Sequence, residues 1–87
     1  MTLKIEHALR GRLTILKLVG QIGAVDLEEL KTQMKEAGAE TRFDLDDLTL
    51  VDVAVVRFFS QCEDSGVQLE NCPLYIREWI KREKEKR

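Results

Sequence analysis

Residues 43–66 read FDLDDLTLVDVAVVRFFSQCEDSG, and this stretch decides the fold. At its start, apolar residues alternate with aspartates, which is the pattern of a half-buried strand. Asp52 is a typical N-cap residue, and the apolar residues after it recur at the spacing of one helix face. Gly66 is a natural stop for that helix. The stretch therefore predicts a strand at 41–46, a short acidic loop and a helix that begins after Asp52.

A hairpin and a helix are predicted ahead of this stretch. Residues 3–7 alternate between apolar and charged, and Gly11 lies where a hairpin turn would be. Residues 13–22 form a second strand, in which consecutive apolar residues suggest cover on both faces. Asp26 and Glu29 have the spacing of a capping box at the start of a helix. Strand, helix and strand in this order predict parallel neighbours with a right-handed crossover.

A short fourth strand and a third helix complete the predicted fold. Residues 67–70 have the strand pattern, and Pro73 suits the first turn of a helix. The fold class is α/β: a short mixed four-stranded sheet with an N-terminal hairpin and parallel βα units, and three helices. We expect a single domain over residues 1–80. Because no apolar residue follows Ile80, residues 81–87 should form a charged helical tail with a solvated, fraying end.

Composition narrows the function classes. The 87 residues are 44% hydrophobic and 34% charged, which is ordinary for a globular domain. The basic tail is interrupted by glutamates, so we expect no nucleic-acid binding. No apolar run approaches the ~20 residues of a membrane span. Charges near the first residue argue against a signal peptide and two cysteines suggest a reducing compartment, so a cytoplasmic location is expected.

Clustered acidic residues are the first candidate for chemistry. Asp44, Asp46, Asp47 and Asp52 could gather a divalent cation or act as an acid–base pair. Polar strand positions, a turn and a helix cap explain them more simply. His7 is the one histidine, and the cysteines have no ligand spacing, so no metal site is expected.

Thiols and glycines are the other candidates. Cys62 lies on the predicted core stripe, where a thiol is usually inert. Cys72 precedes the last helix, whose N-terminus would lower the thiol pKa, so it is the better reactive candidate. No histidine is placed to assist it, however, and an inert thiol is the favoured interpretation. Gly20 and Gly23 follow a strand and precede a helix, but the full phosphate-loop signature is absent.

Two groups of residues could bind a partner. Val53 and Ala54 begin the second helix on its outer side, with Arg57 one turn further on. In the last helix, Tyr75 and Trp79 are either an exposed ridge for a partner or the edge of the core contact. We favour the core contact, because their arc is continuous with that of the helix's isoleucines.

The order of elements and two sequence blocks resemble the STAS domain, the fold of bacterial anti-sigma factor antagonists. The first block is LVGQI at 18–22 ahead of LEEL at 27–30, and the second is FDLDDLTLVD at 43–52. An apolar helix and a strand led by Gly66 follow. The resemblance covers roughly residues 3–80.

In the STAS family, a signature aspartate is followed by two hydroxyl residues and a glycine. A partner kinase phosphorylates the second hydroxyl, which releases the bound anti-sigma factor. By this resemblance, Asp52 matches the aspartate and Val53 the first hydroxyl position. Ala54 stands at the phosphorylated position and Val55 at the glycine. The resemblance therefore implies a STAS-like domain that lacks the phosphorylatable Ser or Thr.

These patterns together predict a non-catalytic, regulatory protein-interaction module without a cofactor. Its partner surface would comprise Asp52, Val53, Ala54 and Arg57, and by resemblance its partner would be an anti-sigma factor or a kinase-like protein. The alternative is a small-ligand or nucleotide-binding domain, based on the glycines and aspartates. A homodimer through the last helix or the sheet edge is a third hypothesis.

Overall fold

The computed structural model describes residues 3–38 and 40–86 and places them in a mixed sheet and three helices. The elements are β1 (Leu3–Arg10), β2 (Leu13–Ile22), α1 (Leu27–Ala37), β3 (Thr41–Asp44), β4 (Leu48–Val51), α2 (Val53–Asp64), β5 (Gln68–Glu70) and α3 (Leu74–Glu85). Met1, Thr2, Ala39 and Arg87 of the predicted domain and tail lie outside the described residues. The predicted α/β class, N-terminal hairpin, parallel βα units and three helices are confirmed. No helix in the described part has the length and apolar character that a bilayer span requires.

The sheet has the order β1-β2-β3-β5, and β4 lies beside β2 beyond the end of β3. β1 pairs antiparallel with β2, and the other neighbours are parallel. β3 pairs with residues 14–17 of β2, whereas β4 pairs with residues 20–22. The predicted strand at 41–46 therefore ends early, and the supposed loop contains a fifth strand.

A turn at residues 45–47 explains the extra strand. The Leu48 N–H donates to the Leu45 carbonyl at 3.1 Å, and both leucine side chains are buried. Because the turn keeps both leucines in the core, the chain rejoins the same edge of β2. The aspartates Asp46 and Asp47 occupy the exposed turn itself.

The helices share one face of the sheet. The β2-α1-β3 and β3-α2-β5 connections proceed in the same direction across the sheet, so right-handed crossovers put both helices on one side. All three helices and this face form one core, whose fully buried members include Leu16, Leu18, Leu30, Phe43, Phe59, Ile76 and Ile80. Ile15 is buried between its sheet neighbours Ala8 and Arg42 but lies outside this core. The expected cover on both faces of β2 is therefore found at Ile15, whereas Lys17 and Val19 on the same face are only half-buried and the core with its helices lies on the other face.

The charged tail is attached to the rest of the fold. The buried Glu83 of α3 accepts from Arg57 of α2 at 3.0 Å, and Lys84 lies 3.0 Å from Glu63 of α2. Arg77 adds a second ion pair to Glu63 at 2.9 Å. The tail is solvated at the exposed Lys81, Arg82, Glu85 and Lys86, as expected. It is nevertheless helical to Glu85, because acidic and basic groups on α2 bind α3 where apolar groups are lacking.

Candidate functional site

Asp52 joins two parts of the fold through its carboxylate. Its Oδ1 accepts the Val55 N–H at 3.1 Å, which confirms the predicted N-cap of α2. Its Oδ2 accepts the Ala24 N–H at 2.9 Å, in the turn that follows β2. A Cβ atom on Gly23 would lie only 3.2 Å from the same Oδ2, so the turn approaches the carboxylate closely. The start of α2 is thereby fixed against the end of β2.

A second carboxylate occupies the same turn. Asp26 accepts the Gly23 N–H at 2.9 Å and closes a 3-10 turn at Ala24–Asp26. The predicted capping box between Asp26 and Glu29 is therefore wrong, since the Asp26 side chain turns back toward the sheet. Together with Asp52, it accepts the backbone N–H groups of Gly23 and Ala24 at this strand end, so neither group is free to bind a phosphate.

Asp44 and Asp47 of the acidic cluster have structural partners. Asp44 accepts from the Asp46 N–H at 3.0 Å and from Asn71 Nδ2 at 3.2 Å. Asp47 lies 3.0 Å from Lys17 Nζ, and this hydrogen bond raises the pKa of the lysine above its ordinary value. Within residues 3–38 and 40–86, no three His, Cys, Asp or Glu side chains gather in a metal-binding group.

Exposed apolar side chains surround the start of α2, and we name Val25, Leu50, Val53 and Ala54 the α2 entry surface. Val25 is 83% exposed, Leu50 54% and Val53 39%, while Ala54 is half-buried. The Asp52–Ala24 hydrogen bond connects the segments that carry these residues. A shallow groove of about 190 Å³ adjoins Leu50 and Asp52. Exposed apolar patches of this kind mark interaction sites in soluble domains.

Sequence reasoning placed Val53 and Ala54 on this surface but missed Val25 and Leu50. Leu50 lay in the segment that was interpreted as an acidic loop. Its period-2 relation to the buried Leu48 would place it on the buried face, so alternation gives no signal for its exposure. Val25 follows β2 in a tight turn, and nothing in the sequence pattern indicates its exposure.

Arg57 is tied to α3. Its Nε donates to Glu83 Oε1 at 3.0 Å, and Lys86 Nζ lies 3.3 Å from the other carboxylate oxygen. The Arg57 guanidinium, with Lys86, holds the pKa of the Glu83 carboxyl below its usual 4.5. These side chains, with Ser60 and Gln61, line a groove of about 270 Å³ between the two helices. Arg57, which was predicted to belong to the partner surface, therefore contacts α3 through its side chain.

The two aromatic residues of α3 have different surroundings. Tyr75 is 45% exposed, and its hydroxyl donates to the Thr49 carbonyl of β4 at 2.8 Å. Partial burial raises the pKa of the Tyr75 hydroxyl above 10.0. Trp79 is half-buried and packs against the core. The favoured core contact therefore holds for Trp79, whereas Tyr75 connects α3 to β4 and remains the candidate for a secondary interface.

Neither cysteine has the environment of a reactive thiol. Cys62 is buried in the core, and desolvation raises its pKa to about 11. Cys72 is half-buried, and desolvation raises its pKa too, outweighing the nearby Arg77. The expectation that the helix N-terminus would lower the Cys72 pKa is therefore wrong.

Comparison with known proteins adds no family assignment. No protein-family model matches this chain, and no curated protein shows significant similarity to it. The STAS resemblance therefore rests on the sequence blocks at 18–30 and 43–52 and on the order of the elements.

Proposed function

We propose that this chain is a small STAS-like module of bacterial, cytoplasmic regulation that binds a protein partner and catalyses no reaction. The observation that carries the proposal is the α2 entry surface, where Val25, Leu50 and Val53 are exposed on segments that the Asp52–Ala24 hydrogen bond joins. When a partner covers several exposed apolar side chains, their removal from water stabilises the complex.

Asp52 acts in this function by positioning the surface. Both of its carboxylate oxygens already accept backbone N–H groups, from Val55 and Ala24. The first turn of α2 and the turn that carries Val25 are thereby held together before a partner arrives. A preorganised surface pays less conformational entropy on binding. The direct contacts to the partner are assigned to the apolar side chains.

Binding at this surface would be constitutive. Ala54 has a methyl group where the STAS resemblance implies the phosphorylated hydroxyl, so no phosphate ester can form at that residue. By the same resemblance, the partner is an anti-sigma factor or a kinase-like regulatory protein. A negative charge never arises there by modification, and the partner would not be released by phosphorylation.

A charge-insertion experiment tests the surface. Val53→Asp/Ala54→Glu adds two negative charges within the first turn of α2, where acidic residues are compatible with the helix dipole, so the fold should persist. The matched control Lys81→Gln/Arg82→Gln also lowers the net charge by two, at exposed residues of α3. Circular dichroism verifies that both variants are folded.

The readout is quantitative mass spectrometry of proteins captured from a bacterial extract. We expect the α2 variant to lose a specific partner by at least about tenfold, because charges in an apolar contact are costly to desolvate. The control should retain that partner. Equal capture by wild type and by Val53→Asp/Ala54→Glu would show that the surface assignment is wrong.

A further inference from the structure

The outer edge of β1 is the longest unpaired strand edge in the fold. β1 pairs with β2 over all eight residues, and no strand among residues 3–38 and 40–86 lies on its other side. By contrast, β5 has three residues, and the Thr49 carbonyl of β4 is bonded by Tyr75. Every second residue of β1 therefore presents a free N–H and C=O, which can pair with another strand.

The second half of β1 extends beyond the helical layer. Leu3 and Ile5 are half-buried against the core, but all residues from His7 to Arg10 are exposed. Leu9 is 77% exposed although its side chain projects to the same face as Ile5. This half of the strand thus has an open edge and an uncovered apolar side chain.

The charges on β1 restrict how it could pair with a second copy of itself. In an antiparallel ladder, two directly opposite residues point their N–H and C=O groups either both toward each other or both away. In a two-fold dimer of β1, one residue must therefore lie directly opposite the same residue of the other copy. A centre at Glu6 would place Glu6 against Glu6, and a centre at His7 would place Lys4 against Arg10. Like charges directly opposite are destabilising.

A centre at Ala8 gives complementary charges. Glu6 then faces Arg10 of the other copy twice, and Leu9 is covered by His7 of the other copy. For this contact Arg10 leaves a long ion pair with Glu70 at 3.8 Å, and Glu6 leaves Lys4. The five opposed residues run from Glu6 to Arg10.

A centre at Ile5 is also complementary in charge, since Lys4 would face Glu6. Glu6 already forms an ion pair with Lys4 within β1 at 3.1 Å and must leave it at either centre, so charge does not decide between them. Leu3 and Ile5 are partly covered by their own core, whereas Leu9 beside Ala8 is 77% exposed. The gain from pairing is therefore larger around Ala8.

We propose that two copies of this chain associate through β1, antiparallel and centred on Ala8. The inference stands independently of the proposed function. Five opposed residues bury less than the ~1,200 Å² that separates weak from stable interfaces, so the dimer should be transient. Sedimentation equilibrium of the full chain from about 10 μM to about 1 mM should show a reversible monomer–dimer equilibrium.

Charge exchange tests the register. Glu6→Lys and Arg10→Glu should each weaken the dimer about tenfold, because each replaces two attractive pairs by two repulsive ones. The double variant Glu6→Lys/Arg10→Glu restores both pairs with reversed sign, and its dissociation constant should return to within about threefold of wild type. Thermal melts verify that each variant is folded.

Lys4→Glu separates the two registers. It removes the intrachain partner of Glu6, so it should not weaken a dimer centred on Ala8, whereas it would weaken a dimer centred on Ile5 by placing the new carboxylate against Glu6. A chain that stays monomeric at about 1 mM would overturn the proposal. So would a double variant that fails to recover dimerisation while remaining folded.

Discussion

Replacing Asp52 by alanine should destabilise the whole domain, although the residue is exposed. The side chain accepts from Val55 N–H at 3.1 Å and from Ala24 N–H at 2.9 Å. The first bond caps α2, and loss of an N-cap typically costs about 1 kcal/mol. The second joins segments 28 residues apart, and loss of such a bond costs about 1 kcal/mol more. We expect the free energy of unfolding to fall by about 2 kcal/mol.

Asp52→Asn separates the two contributions. The amide replaces one carboxylate oxygen by an NH2 group, which cannot accept, so one of the two N–H groups loses its acceptor. The cap of α2 should be retained, because asparagine is as good an N-cap as aspartate, while the bond to Ala24 is lost. The expected loss is therefore about 1 kcal/mol, half that of the alanine variant.

Urea unfolding followed by the fluorescence of Trp79, the chain's one tryptophan, measures both values. In a domain of this size, 2 kcal/mol corresponds to a fall in Tm of about 8–16 °C. The dependence on urea should be unchanged, since the same surface is exposed on unfolding. The proposal that this carboxylate stabilises the fold through two hydrogen bonds is wrong if Asp52→Ala costs less than about 0.5 kcal/mol. It is also wrong if Asp52→Ala costs no more than Asp52→Asn.

Three further variants or reactions test other contacts. Because the Arg57 guanidinium holds the pKa of Glu83 below 4.5, its stabilising contribution is present above pH 4.5 and lost as the pH falls through the folded-state value. Acid unfolding of Glu83→Gln should therefore depend less on pH between about pH 5 and pH 2 than that of wild type. With a disulfide reagent near pH 8, Cys72 should react slowly in the folded chain and Cys62 only after unfolding, because burial raises both thiol pKa values. Equal rates in the folded chain would contradict this. Phe43→Ala, which removes a fully buried ring, should cost about 3–5 kcal/mol in urea unfolding, and a loss below about 1 kcal/mol would refute its place in the core.

Local sequence patterns were sufficient for most of the fold. Alternation identified β1 and β3, helical spacing identified α1, α2 and α3, and glycine marked the hairpin turn and the helix ends. β4 was missed because only four residues separate Asp47 from Asp52, and their burial does not alternate. Cover on both faces of β2 was inferred from consecutive apolar residues, but Ile15 is buried by its own sheet neighbours.

The site was predictable only where its interactions are local. The Asp52 cap of Val55 spans three residues and follows from residue type and position. Its second bond spans 28 residues and depends on how the turn after β2 approaches α2. The ion pair between Arg57 and Glu83 likewise joins residues that are 26 positions apart in the sequence. Hydrophobic periodicity carries no signal for such pairs, so the attached tail could not be predicted.

The proposed dimer and the proposed partner surface are compatible, and their combination makes a final prediction. Ala8 lies beside Ile15 near the start of β2, whereas the α2 entry surface adjoins Gln21 near its end. Six residues of extended strand between these points correspond to about 20 Å, so a β1 dimer leaves both α2 entry surfaces free. Two free surfaces should bind an immobilised partner more tightly than one, through effective concentration. Glu6→Lys should therefore dissociate faster than wild type from a densely coated surface and equally fast from a sparse one. A difference at both densities would instead place Glu6 in the partner contact itself.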